Sequence, residues 1–254
     1  MLSLERFQQA PWDAGQERRR WALKRREKMM HRGLLFDLDG VLVDTAKYHY
    51  LAWSKIAQEL GLPFTLQDNE RLKGVSRERS FEILLELGGR KMEAGKRAEY
   101  CARKNEYYLS CIRQMTRREI LPGVCDVLQQ ARKKDYRITL GSASRNSRLI
   151  LERLELLELF DAIVDGTAVH SAKPDPEVFL QGAQALGLAP GECIVFEDAR
   201  AGIEAAHAGG MPAVGIGDKK DLPEADLCLP GLQGADLSEI ERCLAEKRER
   251  AGAR

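Results

Sequence analysis

The stretch GLLFDLDGVLVDT at 33–45 constrains the fold most, because it places acidic residues directly after an apolar run. A short apolar run that ends in polar residues and glycine is typical of a buried strand followed by a turn. Successive strand side chains point to opposite faces, so Asp37 and Asp39 lie on the same side. Two such carboxylates repel each other, which indicates either a cation between them or a proton on one of them.

From Pro122 onward, helical periodicity alternates with short apolar runs. The runs that predict strands are YRITLGSAS (136–144), FDAIVDG (160–166), CIVFEDA (193–199), MPAVGIG (211–217) and a short last one at 226–229. This alternation favours βαβ units around a parallel sheet. Between 46 and 117, by contrast, no segment has a strand pattern, and apolar residues recur at helical spacing.

We therefore predict an α/β protein with a Rossmann-like parallel sheet core and an all-helical cap domain inserted after the first strand. The predicted parts are a basic N-terminal extension at 1–30, the core at 31–45 and 118–235, the cap at 46–117, and a C-terminal helix or tail at 236–254. Movement of the cap would use hinges near 44–46 and 117–121.

The composition argues against several classes of protein. A net charge of +1 over 254 residues indicates neither nucleic acid nor an acidic partner. The six cysteines form no C-x-x-C pair, which favours reduced thiols in a cytosol over a zinc site or a disulfide framework. No run is long enough to span a membrane, and the N-terminus lacks the apolar stretch of a signal peptide. We expect a cytoplasmic monomer without a membrane partner.

The N-terminal stretch QERRRWALKRREK at 16–28 is basic and rich in helix formers. Such a stretch could contact nucleic acid or a membrane surface. A solvated helix or a loose arm is the simpler interpretation, and Met29 or Met30 could be the native start. We therefore do not expect nucleic acid as a partner.

Polar residues recur directly after the predicted strands, where the ligand crevice of an open α/β sheet lies. They are Asp37 and Asp39 after the first strand, Ser142 and Ser144 after the second, and Glu197 and Asp198 after a later one. A carboxylate attacks phosphorus well only when the charge of the phosphate is neutralised, and Mg²⁺ suits this role because it takes hard oxygen ligands. The pattern thus predicts phosphoryl transfer, with Asp37 as nucleophile.

The other polar residues fit supporting roles in this chemistry. Asp198 and Glu197 would supply oxygen ligands to the metal ion, and Ser142 would donate to phosphoryl oxygens. Lys173, in SAKPDPEVF, would balance the charge of Asp37, and Asp39 would carry a proton to or from the reacting hydroxyl. Taken singly, each residue has a plainer explanation: a helix cap, a turn, a solvated acid or a surface lysine.

Four segments resemble the motifs of the haloacid dehalogenase superfamily, whose members use an aspartate nucleophile in phosphotransfer: FDLDGVLVDT, GSAS, KPDPEVF and FEDARAG. The resemblance covers about 33–217. DTAKYHYLAW, RLKGVSRERSFEILLEL, ARKNEYYL and SASRN further resemble the hexose phosphomutases within that superfamily. The resemblance implies conversion of β-D-glucose 1-phosphate to glucose 6-phosphate through β-glucose 1,6-bisphosphate, with one Mg²⁺ and a phosphorylated Asp37.

The resemblance also implies roles for individual residues. It makes Asp37 the nucleophile and Asp39 the acid and base, and it places the Asp39 carbonyl, Glu197 and Asp198 on the metal. The remaining implied binding residues are Ser142, Ala143 and Lys173 for the transferring phosphate, Arg77, Ser144, Arg145 and Asn146 for the other phosphate, and His49, Trp53, Lys73, Gly74, Val75, Ser80, Lys104 and Asn105 near the sugar, in the cap and at the hinge. The superfamily usually has lysine at Arg145, so the charge is kept while reach and geometry change.

Two other functions remain open at this point. A sugar-phosphate phosphatase would use the same strand-end residues but would let water reach phospho-Asp37. A binding protein that kept the fold would use its basic arm on nucleic acid, although all the catalytic residue types are present. The segments KGVSR and SRN favour a retained second phosphate and therefore the mutase.

Overall fold

A computed structural model describes residues 31–72 and 75–252. Its centre is a six-stranded parallel sheet with the strand order β3-β2-β1-β4-β5-β6. The strands are β1 (Gly33–Phe36), β2 (Arg137–Gly141), β3 (Ala162–Val164), β4 (Cys193–Glu197), β5 (Ala213–Ile216) and β6 (Leu227–Leu229). The predicted α/β fold with a parallel sheet is thereby confirmed.

Between β1 and β2 the described residues contain helices and no strand. These helices are α1 (Ala46–Leu60), α2 (Leu66–Glu70), α3 (Arg77–Leu87) and α4 (Ala94–Ile112), followed by a short 3-10 turn at Arg117–Glu119. The predicted helical insert after the first strand is present. The exact boundaries proposed for a cap domain at 46–117 stay a prediction.

The other helices connect the later strands. They are α5 (Val124–Lys133), α6 (Ser147–Arg153), α7 (Glu177–Ala185), α8 (Arg200–Ala208) and, after the last strand, α9 (Leu237–Gly252). In the part of the chain that the structure describes, no helix is long and apolar enough to cross a membrane. The basic stretch predicted at 1–30 lies outside the described residues.

Apolar side chains form one layer on each face of the sheet and a third cluster among the inserted helices. Phe36 and Phe196 stack on one face with ring centroids 4.6 Å apart. Phe179 of α7 packs on the opposite face. The central strands β1 and β4 are buried along their whole length, which explains why their sequences are continuous apolar runs rather than alternating patterns.

Helix α2 is a short element of the insert that apolar periodicity does not predict. It has only five residues and one buried residue, Asn69, so it has no apolar face to detect. A reciprocal capping box fixes its start, because Thr65 and Asp68 each bond the backbone N–H of the other. The T-x-x-D spacing was the available signal.

The strand order places the functional edge of the sheet. Strands β2 and β3 lie on one side of β1, whereas β4 lies on the other side, so the order reverses between β1 and β4. All pairs are parallel, and the carboxyl ends therefore meet at one edge. A ligand crevice is expected beyond these ends, directly at Asp37 and Glu197.

The turn before α5 provides a test of the fold. Gly123 has a φ of +85°, and a Cβ there would lie 2.1 Å from the Leu232 carbonyl oxygen. Gly123→Ala should therefore cost about 2–4 kcal/mol of unfolding free energy. Gly95→Ala is the matched control, since no atom lies within 4 Å of its Cβ position, and it should stabilise α4 by about 0.5–1 kcal/mol. A midpoint of urea unfolding in Gly123→Ala equal to that of the parent protein would contradict this packing.

Candidate active site

Three neighbouring strands bring the predicted polar residues together. Asp37 follows β1, and its N–H still donates to the Phe196 carbonyl at 3.0 Å, which continues the sheet ladder. Glu197 is the last residue of β4, and Ser142 follows β2. Burial of these strands fixes the backbone at each end, so the polar side chains converge at one place.

Lys173 lies between two carboxylates at this edge. Its Nζ is 2.5 Å from Asp37 Oδ1 and 2.6 Å from Glu197 Oε1, and it donates to the Gly141 carbonyl at 3.1 Å. The lysine side chain is only 4% exposed. Burial alone would lower the pKa of Lys173, but the two carboxylates outweigh it and raise that pKa. The ammonium is therefore firmly charged.

Asp37 and Asp39 differ in their surroundings. Asp37 Oδ2 accepts from the Asp39 backbone N–H at 3.0 Å, while Oδ1 faces Lys173. The Asp39 side chain accepts a hydrogen bond from the Thr45 hydroxyl. Burial, with the neighbouring charge of Asp37 as the second cause, raises the pKa of Asp39 to about 7. Asp37 is thus paired with Lys173, whereas Asp39 can exchange a proton near neutral pH.

The loop after β2 is ordered by serine hydroxyls. Ser142 Oγ accepts from the Ser144 N–H at 3.1 Å, and Ser144 Oγ accepts from the Asn146 N–H at 3.2 Å. Asn146 is the N-cap of α6, where the side chain makes no capping hydrogen bond. The two serine hydroxyls therefore hold the loop before α6 in place. The Asn146 side chain is not used to cap the helix, so it is available to an anion at this loop.

A buried lysine marks the face of α4 that lies over the site. Lys104 is 2% exposed, and its Nζ lies 3.1 Å from His49 Nδ1 and over the rings of Trp53 and Tyr108. Burial, together with the positive charge of Arg77, lowers the pKa of Lys104 to about 7. Burial also lowers the pKa of His49, so its ring is neutral and accepts from the lysine.

A second group of cations lies between insert and core. Arg77 Nη2 donates to Asn105 Oδ1 at 2.9 Å, and Asn146 Nδ2 donates to the same oxygen at 3.1 Å. Arg145 is exposed, and its Nε donates to the Gly166 carbonyl at 3.3 Å. Burial is the main cause that lowers the pKa of Arg77; Glu78 opposes it, and the charge of Arg145 adds to it. The two guanidinium groups are therefore close enough to repel.

The structure places most of the predicted site residues around one cavity. Those that line it are Asp37, Asp39, His49, Val75, Ser142, Ala143, Ser144, Lys173, Glu197 and Asp198. Trp53 and Ser80 are buried in the insert instead, where Trp53 stacks on Phe81 with ring centroids 6.0 Å apart. Lys73 and Gly74 lie outside the described residues.

Several residues at the cavity escaped the sequence analysis. Thr45 bonds Asp39, and Asn69 lines the cavity while its Nδ2 donates weakly to the Ala46 carbonyl at 3.5 Å. Two glycines allow the acids to lie where they do: a Cβ at Gly40 would be 2.0 Å from Asp198 Oδ2, and one at Gly202 would be 1.9 Å from Glu197 Oε1. The glycines in LDG and ARAG can be seen in the sequence, but the carboxylates that lie against them cannot be identified from it.

Comparison with known proteins shows the family to which this chain belongs. The model of a haloacid dehalogenase-like hydrolase family matches residues 31–210. The chain is 44% identical over 209 residues to the β-phosphoglucomutase of Bacillus subtilis, covering 82% of this chain and 92% of that protein. The chain belongs to the haloacid dehalogenase-like hydrolase family. It is an enzyme of that superfamily, and the resemblance predicted from its motifs is confirmed.

Two further relatives show the range of activities in this family. A crystal structure of β-phosphoglucomutase from Clostridium difficile has a TM-score of 0.82 and 37% identity, and the match covers 85% of this chain and 98% of that one. The fructose-1-phosphate phosphatase of Escherichia coli is 34% identical over 184 residues, covering 72% of this chain and 95% of the relative. Mutases and phosphatases thus share the same architecture.

The family implies a divalent cation, and the donor set fits a hard one. Asp37, Glu197 and Asp198 line the same cavity, with Lys173 as the cation between two of them. Among residues 31–72 and 75–252, no three acidic, histidine or cysteine side chains converge closely enough to hold an ion by themselves. A backbone carbonyl and a substrate phosphate would have to complete the coordination, as is usual for Mg²⁺.

Gly202 offers a test of how the Glu197 carboxylate is placed. A methyl group at this position would collide with Glu197, so Gly202→Ala should displace the carboxylate and raise the Mg²⁺ concentration for half-maximal activity about tenfold or more. Gly209→Ala in the same segment is the control, because its Cβ would meet no atom closer than 3.4 Å. An unchanged Mg²⁺ dependence in Gly202→Ala would contradict the placement.

Lys104 predicts a pH dependence of stability. Its pKa is about 7 in the folded state against 10.5 when unfolded, so the unfolded state binds more protons between these values and stability rises with pH there. Lys104→Met should remove this rise and stabilise the protein at pH 6 by a few kcal/mol, on the order of 2–4. Urea unfolding of the parent protein and of Lys104→Met at pH 6 and pH 9 measures both the rise of stability with pH and the stabilisation at pH 6.

Lys55→Met is the control for this measurement. Lys55 also lies over an aromatic ring, 3.9 Å from the centroid of Tyr107, but it is exposed. Its replacement should leave the slope of stability against pH as in the parent protein. A parallel slope for parent and Lys104→Met would show that Lys104 is not desolvated.

Proposed function

We propose that the chain is a Mg²⁺-dependent β-phosphoglucomutase, which interconverts β-D-glucose 1-phosphate and D-glucose 6-phosphate through an aspartyl-phosphate and β-glucose 1,6-bisphosphate. The observation that carries the proposal is Lys173, held at 2.5 and 2.6 Å between Asp37 and Glu197 at the sheet edge. The 44% identity to a β-phosphoglucomutase supports the choice of substrate. We further propose a monomer that acts in the cytoplasm.

Asp37 is the proposed nucleophile. Its carboxylate oxygen forms a bond to phosphorus of the bisphosphate while the bond between phosphorus and the sugar oxygen breaks. Lys173 neutralises negative charge next to the reacting phosphoryl group, and the Ser142 loop supplies hydroxyl and amide donors for its oxygens. The buried site holds these groups before the reaction begins, so little reorganisation is needed.

Asp39 is the proposed acid and base. As the acid it gives its proton to the departing sugar oxygen, and as the base it takes the proton from the hydroxyl that attacks in the second half-reaction. Its raised pKa, about 7, lets it serve both directions near neutral pH. Thr45 fixes the orientation of the carboxyl group.

A Mg²⁺ ion would be held by Asp37, the Asp39 backbone carbonyl, Asp198 and Glu197. When bound, it would polarise the phosphoryl oxygens and offset their charge. Glu197 already accepts from Lys173 at 2.6 Å and from the Ala199 N–H at 2.8 Å, so it contributes its remaining lone pairs or acts through water.

A second anion site favours a mutase over a phosphatase. Arg77 is oriented by a neutral amide, and Arg145 lies near enough to repel it, so a phosphate between them would relieve that repulsion. A bisphosphate needs such a site, whereas hydrolysis of a single phosphate does not. We propose that Ser144, Arg145, Asn146 and Arg77 bind the second phosphate.

Reversal of the intermediate requires that the insert opens. The two linkers to the insert lie side by side, since Val43 bridges to Ile120 and the Leu121 N–H donates to the Leu42 carbonyl at 3.0 Å. We propose residues 46–117 as a cap that moves about this pair of linkers. His49, Lys104 and Val75 would close over the sugar, and the roles of Lys73 and Gly74 in sugar binding stay a prediction.

Hydrolysis of sugar phosphates is the second candidate function. The 34% identity to a fructose-1-phosphate phosphatase supports it, and the strand-end residues would serve both reactions. A phosphatase would release one inorganic phosphate for each sugar phosphate consumed and would need no bisphosphate. A coupled assay for glucose 6-phosphate, with parallel measurement of inorganic phosphate, separates the two.

In that assay, β-glucose 1-phosphate should yield glucose 6-phosphate only with Mg²⁺ and catalytic glucose 1,6-bisphosphate. The α anomer is the substrate control and should react far more slowly. Stoichiometric inorganic phosphate without isomer would decide for hydrolysis.

The two aspartates should fail in different ways. Asp37→Asn removes the attacking oxygen, so no phosphoenzyme should form. Asp39→Asn loses acid–base help worth about 10²–10⁴-fold, but it should still be phosphorylated by acetyl phosphate, whose leaving group needs no proton. Intact-protein mass spectrometry reads the adduct, and an adduct on Asp37→Asn but not on Asp39→Asn would reverse the roles.

A further inference from the structure

We propose that Asn105 is a positioning residue: it aligns one donor from the insert and one from the core around the second phosphate, and it thereby favours retention of the bisphosphate over hydrolysis. The proposal rests on the proposed mutase function. Asn105 lies on α4, directly after Lys104. It neither lines the cavity nor reaches the strand-end acids by a hydrogen bond among the described residues.

A single atom of Asn105 makes both contacts. Its Oδ1 accepts from Arg77 Nη2 at 2.9 Å and from Asn146 Nδ2 at 3.1 Å. Arginine can only donate, so the atom that faces Arg77 must be the amide oxygen. The orientation of the Asn105 amide is therefore defined by its partners.

The three residues come from three separate helices. Arg77 is the first residue of α3, Asn105 lies in α4, and Asn146 is the N-cap of α6 in the core. The oxygen of Asn105 therefore joins two helices of the insert to the loop that follows β2. When the insert moves away from the core, the contact with Asn146 must break, whereas the contact with Arg77 can persist.

The amide of Asn105 carries no charge, and this matters for the binding of a phosphate by Arg77. A carboxylate at this position would also orient Arg77, but it would cancel the positive charge that a phosphate needs. The Asn105 oxygen uses one N–H of each partner, and the guanidinium retains further donors in its fixed fork. Asn105 thus orients the cation without neutralising it.

This arrangement links phosphate retention to closure. With the second phosphate bound to Arg77 and Asn146, the Asn105 contact holds the insert on the core while Asp37 carries a phosphoryl group. Without the Asn105 contact, the sugar monophosphate leaves more often while Asp37 is phosphorylated, and water reaches phospho-Asp37. Water oxygen then bonds to phosphorus, the bond from phosphorus to Asp37 breaks, and the water proton passes to Asp39 and solvent.

The test compares Asn105→Ala, Asn105→Asp and the control Glu106→Ala, an exposed neighbour on the same helix. Two quantities are measured: the half-saturating concentration of glucose 1,6-bisphosphate, and the ratio of glucose 6-phosphate to inorganic phosphate. In Asn105→Ala the half-saturating concentration of bisphosphate should rise about tenfold, and the ratio of glucose 6-phosphate to inorganic phosphate should fall about tenfold. Each change corresponds to the loss of one or two hydrogen bonds. Glu106→Ala should match the parent protein.

Asn105→Asp separates orientation from charge. This variant keeps an acceptor oxygen for Arg77, but its carboxylate offsets the positive charge of Arg77. The half-saturating bisphosphate concentration should therefore rise at least as much as in Asn105→Ala. Parent values of both measured quantities in Asn105→Ala would overturn the proposal, as would a lower melting temperature with no change in either quantity.

The same variants keep the two proposals distinguishable. If the parent protein forms inorganic phosphate but no isomer, the mutase function fails. Asn105 is then judged by the hydrolysis of β-glucose 1-phosphate. A raised KM with unchanged kcat in Asn105→Ala would support its role in binding the sugar phosphate, and an unchanged KM would overturn it.

Discussion

The ion pairs of Lys173 with Asp37 and Glu197 are the interaction on which the rest of the site depends. Three strands end in buried polar groups, and the carboxylates among them would repel each other in a site from which water is largely excluded. One ammonium, 4% exposed, compensates two of them at 2.5 and 2.6 Å. The parallel sheet makes this possible, because the backbone of each strand end is held by its neighbours rather than by the charges themselves.

The same charge balance suits the two different roles proposed for Asp37 and Asp39, which are separated by one residue. Asp37 faces the lysine, whereas Asp39 faces Thr45 and the insert, where a raised pKa of about 7 leaves a proton available. The insert then adds cations on the other side of the cavity. Lys104 donates to His49 and Arg77 donates to Asn105, and each side chain retains further N–H donors for a ligand. Lys173 at the sheet edge and Arg77 in the insert thus place a cation on each side of the cavity, which suits a ligand with two phosphates.

Much of this arrangement could be predicted from the sequence because strand burial has a direct signature. The runs before Asp37 and before Glu197 are continuous and apolar, and polar residues directly after parallel strands must share one edge. Gly61 ends α1, where a φ of +63° favours a glycine. The family motifs then predicted roles for individual residues, which periodicity alone cannot indicate.

The remainder depends on contacts between distant segments, which no local pattern encodes. Burial of Lys104 follows from the packing of α4 on α1, and a lysine in a helix reads as solvated. The collision that Gly202 avoids is visible only once α8 lies against β4. Helix α2 has no apolar face, so its capping residues were the sole cue. Arg145 turns to the Gly166 carbonyl, which its position in the SASRN segment does not reveal.

In the proposed mechanism, phospho-Asp37 is protected from water and returns its phosphoryl group to a sugar. Turnover of β-glucose 1-phosphate in water enriched in ¹⁸O, followed by ³¹P NMR of the products, tests this most directly. The account predicts glucose 6-phosphate without ¹⁸O in its phosphate and little inorganic phosphate. Inorganic phosphate that carries ¹⁸O as the main phosphorus product would contradict it.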